Sequence, residues 1–450
     1  MKKISISLIS FSLIAWFFTT CVQAQNPFIT DQFTADPSAR VFNGKVYVYP
    51  SHDILANEER GRVGWFCMAD YHVFSSSDLV NWTDHGVIVT QEKVDWVDPE
   101  SYSMWAPDCI ERDGKYYFYF PSRPKGEGMR RGFAIGVAVA NHPEGPFVPE
   151  SEPIKGVIGI DPNPYIDNDG QAYLYWSMGK IFVAKLKDNM LELDGEPQEV
   201  TEMPTEGLKE GPYLFERNGI YYMTYPHVEN NIERIEYAIS DNPMGPFTFA
   251  GVIMDESPIG CWTNHQSIIE YNDQWYIFYH QNDLSPKFDK SRSIRVDSLF
   301  FNEDGTIQKV EFTQRGVGIS DATEKIEIDR YSDKSDAGVS VAFIDTLNTF
   351  DGWKTVFDSV NSWIRYNAVD VGTEKLKKVQ LMAKAPGGGA VQIRSGSADG
   401  PLLSKVKLPA GSDWHIVEAK VSKLQPGIHD LVIMQDSDKP LEIDWIRFIK

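Results

Sequence analysis

The chain has 450 residues, more than one small core accounts for, so one large domain and a smaller companion are the first expectation. Hydrophobic residues make up 42% and charged residues 24%, ordinary proportions for a globular protein. The formal net charge of −21 would repel nucleic acid and anionic membranes, and both are set aside as partners.

At the N-terminus Lys2 and Lys3 precede an apolar run, and Val22-Gln23-Ala24 fits a small-residue cleavage site. Residues 1–24 therefore read as a signal peptide, and the mature chain is expected to be secreted or periplasmic. Cys21 raises lipoprotein anchoring as an alternative, against which Phe18-Thr19-Thr20 is a poor lipidation context. No other stretch is long and apolar enough to span a bilayer. Cleavage after Ala24 leaves Cys67, Cys109 and Cys261, an odd number without metal-knuckle spacing, so no disulfide framework is expected.

One phrase then recurs five times. Asn43-Gly44 is followed by KVYVYP, Asp113-Gly114 by KYYFYFP, Asp169-Gly170 by QAYLYW, Asn218-Gly219 by IYYMTYP and Asn272-Asp273 by QWYIFYH. Asn-Gly and Asp-Gly between β-rich runs are the strongest short hairpin signal. Counted at the second turn residue, the intervals are 70, 56, 49 and 54 residues, a period that suits propeller blades. Later in each unit a second strand runs into a turn, as in VFSSSDLVNW from Val73 and YAISDNPMGPF from Tyr237. Four strands per unit and five units predict an all-β, five-bladed β-propeller over residues 25–319, with Ser291 to Val310 completing the last blade.

The strand before each hairpin turn is the innermost, so its beginning faces the axis. Asp36, Asp108, Asp161, Glu210 and His265 stand there, six to nine positions before the second turn residue. Two carboxylates across a funnel suit glycosidic bond hydrolysis: a protonated one donates to the leaving oxygen, and the other activates water or attacks carbon. A third acid nearby would tune the donor, and acids this close can also bind a metal.

The segments ADPSARVFNGKVYVY, WAPDCIERDGKYYFYF, KEGPYLFERNGIYYMTY and TNHQSIIEYNDQWYIFYH resemble glycoside hydrolase family 43 over about residues 27 to 318. The resemblance implies a five-bladed propeller and an inverting glycosidase acting on arabinose- and xylose-containing glycans. It implies Asp36 as general base, Asp108 as the acid that tunes and orients the donor, and Glu210 as general acid. Arg292 resembles the family's substrate-site arginine, with Arg295 as a competing register. His265 resembles the axial histidine that faces the sugar or a central calcium. Asp161 has no catalytic role in this pattern and reads as a strand or turn cap. Trp105 is either a wall of the sugar pocket or inter-blade core, His280 a packed core histidine, and Arg130-Arg131 a solvated loop pair.

Beyond the polar bridge Ser320–Lys325, alternating segments such as AVQIRSGS, LLSKVKLPAGSDW and LEIDWIRFI predict a β-sandwich (jelly-roll) module over 325–450. WIRYNAVDVG, PGIHDLVI and the closing IDWIRF resemble a family 6 carbohydrate-binding module. That resemblance implies a structural calcium on Glu327, Asp329 and Asp444 and a sugar-binding aromatic at Trp414, in a GSDW turn. Glu442 stands where the family has an asparagine, which puts glycan binding by the module in doubt.

The expected activity is that of an exo-acting β-xylosidase or α-L-arabinofuranosidase on xylan- or arabinan-type substrates, with no cofactor for catalysis. An endo-arabinanase and a non-catalytic glycan-binding propeller are the alternatives. The sialidase Asp-box, S-x-D-x-G-x-x-W, is absent.

Overall fold

The computed structural model describes residues 25–126, 132–204, 206–230, 232–422 and 424–450. The signal-peptide expectation, Cys21 and Arg130-Arg131 lie outside them. Among the described residues no helix is long and apolar enough to cross a membrane. Cys67, Cys109 and Cys261 are all buried and free.

Four of the five anticipated turns have both central residues at positive φ: 52° and 75° at Asn43-Gly44, 53° and 75° at Asp113-Gly114, 54° and 81° at Asn218-Gly219, and 51° and 61° at Asn272-Asp273. This is the type I′ geometry whose twist matches that of the flanking strands. Around Asp169-Gly170 the loop spans residues 167 to 171, and Gly170 alone of the pair is left-handed, at 87°.

Five antiparallel sheets follow one another. The first is Phe33–Phe42, Lys45–Asp53, Asp70–Ser76 and Thr83–Thr90; the second is Asp108–Arg112, Lys115–Ser122, Ala134–Ala140 and Val148–Pro149. The third is Ile160–Ile166, Ala172–Ser177, Ile181–Leu186 and Gln198–Glu199. The fourth is Tyr213–Arg217, Ile220–Glu229, Ile232–Ser240 and Thr248–Met254, with Leu208–Lys209 added to its second strand. The fifth has three strands, Ser267–Tyr271, Gln274–Gln281 and Ser293–Leu299, so the segment Ser291 to Val310 supplies one strand and not the expected pair. The free edge of that strand is taken by residues 28–34: Phe28 N–H donates to Ile294 O at 3.2 Å and Thr34 N–H to Arg292 O at 2.9 Å.

The aromatic phrase after each turn is explained by burial on both faces. Successive side chains of a strand point to opposite sides. Phe118 packs with Tyr49 and Tyr71 of the first sheet, whereas its neighbour Tyr119 packs with Leu174 and Trp176 of the third. The same pairwise packing joins Tyr175 to Met223, Tyr222 to Ile277, and Phe278 back to Val48 of the first sheet. Polar bonds follow the same circuit. Asn163 Nδ2 donates to Asp108 at 2.7 Å, Leu214 N–H to Asn163 at 2.9 Å, Gln266 Nε2 to Gly211 O at 3.0 Å, and Ala39 N–H to Ser267 Oγ at 2.9 Å.

The C-terminal region is a sandwich of two sheets around one apolar core that includes Ile364, Leu381, Ile433 and Phe448. Its boundary is earlier than the expected residue 325. Ser320–Asp321 pairs in parallel with Val369–Asp370, and Ala322 is fully buried in the sandwich core.

Candidate active site

Three inner strands are broken at a proline, which has no N–H for the ladder. In the first sheet the register jumps from Ala35–Ser51 to Ser38–Tyr49, and Asp36 takes φ 48°. In the third it jumps from Ile160–Ser177 to Asn163–Tyr175, and Asp161 takes φ 57°. Each bulged aspartate accepts a hydrogen bond from a serine of the next strand, Ser51 Oγ at 2.6 Å and Ser177 Oγ at 2.8 Å. Glu210 precedes Gly211-Pro212 in the fourth sheet. Gly211 has φ 53°, and a Cβ on it would stand 2.9 Å from Pro226 and 3.1 Å from the His265 ring, so a glycine is required.

Asp36, Asp161, Glu210, His265 and Arg292 line one pocket of about 170 Å³ walled by Trp65, Phe66, Trp105 and Trp262. Its carboxyls are set far apart in acidity. Burial alone would raise the pKa of Asp36, but Arg292, His280, His265 and the Ser51 hydroxyl hold it at about 2. Arg292 donates to both oxygens of Asp36, at 2.8 and 3.2 Å, and forks onto Asp53 with two bonds of 2.9 Å. Glu210 shows the reverse. Burial, then the charges of Asp161 and Asp36, push it up to about 8. Asp161 is itself raised, first by burial, with His265 and the Gly211 N–H opposing.

His280 is fully buried, as expected, and it also bonds the Asp36 backbone. Its ring is kept neutral by burial and by Arg292, so Nδ1 accepts the Asp36 N–H at 3.1 Å while Nε2–H donates to Thr263 O at 3.0 Å. Arg295 is paired with Asp283 and Thr313 O outside the pocket, which leaves Arg292 as the pocket arginine. Trp105 is a pocket wall whose ring also packs on Phe133 at 4.5 Å and Phe66 at 5.9 Å.

Asp108 corrects the expectation. It does not line the pocket and does not stand beside Glu210. It is buried between sheets, ion-paired to Arg40, with Ser38, Asn163 and its neighbour Cys109 N–H as further donors. The acid whose charge most raises Glu210 is Asp161. Sequence reasoning also missed Asp53 and Glu233. Glu233 accepts the Asn264 N–H at 2.8 Å, its other oxygen is buried without a partner, and burial and the Glu210 charge push its pKa well up.

Residues 24–307 match the model of glycosyl hydrolases family 43, and residues 333–450 match that of a carbohydrate binding module of family 6. The chain belongs to glycosyl hydrolase family 43. A xylosidase/arabinosidase 43A of Humicola insolens is 39% identical over 330 residues, 62% of this chain and 98% of that protein. A xylosidase/arabinosidase of Bacteroides ovatus is 34% identical over 329 residues, 63% of this chain and 96% of that protein. Among solved structures, a family 43 β-xylosidase/α-arabinofuranosidase from a compost microbial metagenome, in complex with xylotriose and calcium-free, aligns with a TM-score of 0.58. It is 36% identical, and the alignment covers 64% of this chain and 98% of that one. The protein is accordingly a glycoside hydrolase.

In this family 43 hydrolase the other anticipated residues lie in the C-terminal module. Trp414 is within the strand Gly411–Lys420 and not in a turn, half-buried, with Lys354 Nζ 6.0 Å from its ring. Glu442 accepts from Lys354 at 2.9 Å. Glu327, Asp329 and Asp444 face one pocket. Burial and the charges of Asp444 and Asp329 raise the pKa of Glu327 well up, and burial and Asp329 raise that of Asp444 to about 6 against a hydrogen bond from Glu327, a charge conflict that a cation would relieve. Arg330 already meets part of it, through an ion pair with Asp329 at 2.6 Å.

Proposed function

We propose that this protein is an inverting, exo-acting β-xylosidase/α-L-arabinofuranosidase in which Glu210 is the general acid, Asp36 the general base and Asp161 the charge that keeps Glu210 protonated. The observation that carries this reading is the split within one pocket, Asp36 at about 2 and Glu210 at about 8. At neutral pH one carboxyl is a base and the other still holds its proton, which is what acid-assisted departure and water activation require. A glycan-binding propeller has no use for such a split. A compact pocket of about 170 Å³ with aromatic walls favours the end of a chain over a groove for its middle, and so the exo reading over an endo-arabinanase. Arg292 and His265, with Trp105, face the bound sugar.

The five sheets are the blades of a five-bladed propeller, the N-terminal segment closing the ring against the fifth. Asp36 and Glu210 start the first and fourth blades, and this separation favours the roughly 6.5–9.5 Å carboxyl gap of an inverting site over the roughly 5–5.5 Å gap of a retaining one. The leader directs the chain to the periplasm or beyond. Glu327, Asp329 and Asp444 are all oxygen donors and would hold calcium, a structural ion of the module; His265 marks the place for one at the propeller axis. Trp414 would offer the module its sugar-stacking face, next to Glu442.

Purified protein assayed on aryl xyloside, aryl arabinofuranoside and dye-linked arabinan tests the substrate class; release of dye from arabinan with no turnover of the aryl glycosides would reject exo action. Proton NMR in the first minutes of hydrolysis tests the stereochemistry. The first product should carry the inverted anomeric configuration, and a product with the substrate's own configuration would reject Asp36 as a base on water.

A further inference from the structure

Away from the pocket, the first sheet brings together three metal-binding side chains that glycoside hydrolysis does not use. Ser51 pairs with Tyr71, so His52 falls opposite Asp70 on the next strand, with His72 two residues on and on the same face. Ser51 and Asp53 point the other way, toward Asp36 and Arg292. One donor atom from each of His52, Asp70 and His72 lies within 4.8 Å of the other two, and the two rings are 4.9 Å apart.

His52 Nδ1 and an Asp70 oxygen are 2.7 Å apart, side by side as two ligand atoms of one ion would be. His72 is backed from behind, its Nδ1 3.1 Å from both oxygens of Asp84. An ionised carboxylate only accepts, so the His72 ring proton sits on Nδ1 and its lone pair is left on Nε2. A carboxylate behind the far nitrogen is the arrangement that fixes and strengthens histidine ligands to a metal. The side chains of His52, Asp70 and His72 are 19%, 22% and 14% exposed, enough for an ion to enter.

We infer that His52, Asp70 and His72 form a second site, for a divalent transition-metal ion of the zinc class. Two imidazoles and one carboxylate suit zinc, nickel or copper and are a poor set for calcium, which takes oxygens. Three protein ligands leave one position for water.

The test is calorimetric titration of zinc into the chelator-treated full-length protein, in excess calcium so that oxygen-only sites are filled. We expect one zinc per chain, lost by more than about 100-fold in affinity in the double variant His52→Gln/His72→Gln. Asp84→Asn should weaken zinc about 10-fold by releasing the His72 ring. Melting temperature and activity on an aryl glycoside should stay at wild-type values in both variants. Wild-type protein that takes up no zinc, or a folded double variant that binds it as wild type does, overturns the site. Should the double variant not fold, Asp84→Asn decides, and unchanged affinity there overturns it.

Discussion

The two sides of the pocket bury the same chemical group and reach opposite outcomes. On the first sheet, burial of Asp36 is overcome chiefly by the Arg292 guanidinium, with the Ser51 hydroxyl adding to it, so the carboxyl ionises at about 2. On the fourth, burial and the charges of Asp161 and Asp36 outweigh the opposing charge of Arg292, so Glu210 holds a proton to about 8. The difference lies in the neighbours and not in the depth of burial. A buried acid stays an acid or becomes a base according to whether the next charge is a guanidinium or a second carboxylate.

Removing either end of the contrast should have the largest effect. Glu210→Gln should lower kcat by about 10²- to 10⁴-fold on oligosaccharides, and by less on aryl glycosides whose leaving group needs little protonation. Wild-type turnover of xylotriose by this variant would sink the assignment. The same substitution has a stability signature. The folded protein holds the Glu210 proton between the ordinary carboxylate value of 4.5 and about 8, whereas the unfolded chain has released it. Wild-type stability therefore falls as pH rises through that window, and the Gln variant should gain relative to wild type there. Melting curves at pH 5 and pH 8 check the sign. Arg292→Met attacks the other end. It strands Asp36 and Asp53 as buried, unpaired carboxyls, with an expected cost of about 3–5 kcal/mol in chemical denaturation and an acid limb of activity moved to higher pH.

The next effect separates two aspartates. Asp161→Asn removes the charge that raises Glu210, so the alkaline limb of kcat/KM should move down by about one pH unit. Asp108→Asn should leave that limb in place while lowering stability, because Arg40 loses its buried partner. A shifted limb in the Asp108 variant, or an unshifted one in the Asp161 variant, reverses their roles.

That exchange shows what the sequence could and could not reveal. The hairpin turns, the aromatic strands and the sandwich pattern are local, and each is legible because turn chemistry and period-two burial are local rules. Asp108 misled because acids were aligned on acids. Aligned on the prolines, Asp36-Pro37, Ala106-Pro107, Asp161-Pro162 and Gly211-Pro212 share one position, and in the second sheet that position is Ala106, which lines the pocket. Asp108 falls after its proline, with Ser38 and Asn163, two of the residues it bonds. The fork of Arg292 between Asp36 and Asp53 joins residues 256 and 239 positions apart, and no local rule foretells it. The missing fourth strand of the fifth sheet is hidden for the same reason, since its place is filled by residues from the other end of the domain.

The smallest expected effect lies farthest from the chemistry, where the module meets the catalytic domain. Arg330 is ion-paired to Asp329, lies 3.9 Å from the Trp353 ring and donates to Asn26 O. Asn26 in turn holds Val296 of the fifth sheet with bonds of 3.0 and 2.9 Å and reaches Thr313 O at 3.0 Å. One side chain thus ties the module to the segment that covers the edge of that sheet. Arg330→Gln keeps part of the hydrogen bonding and removes the charge beside buried Asp329, so stability should fall by about 1–3 kcal/mol, seen as a melting temperature lower by several degrees. Asp36 is held by Arg292, Ser51 and His280, none of which touches Arg330, so kcat/KM on aryl xyloside should stay within about twofold. Added calcium should recover part of the loss, because Asp329 without its arginine is a freer oxygen ligand. A fall in kcat together with an acid limb moved upward would mean that the strap transmits strain to Arg292, and that the module belongs to the catalytic apparatus.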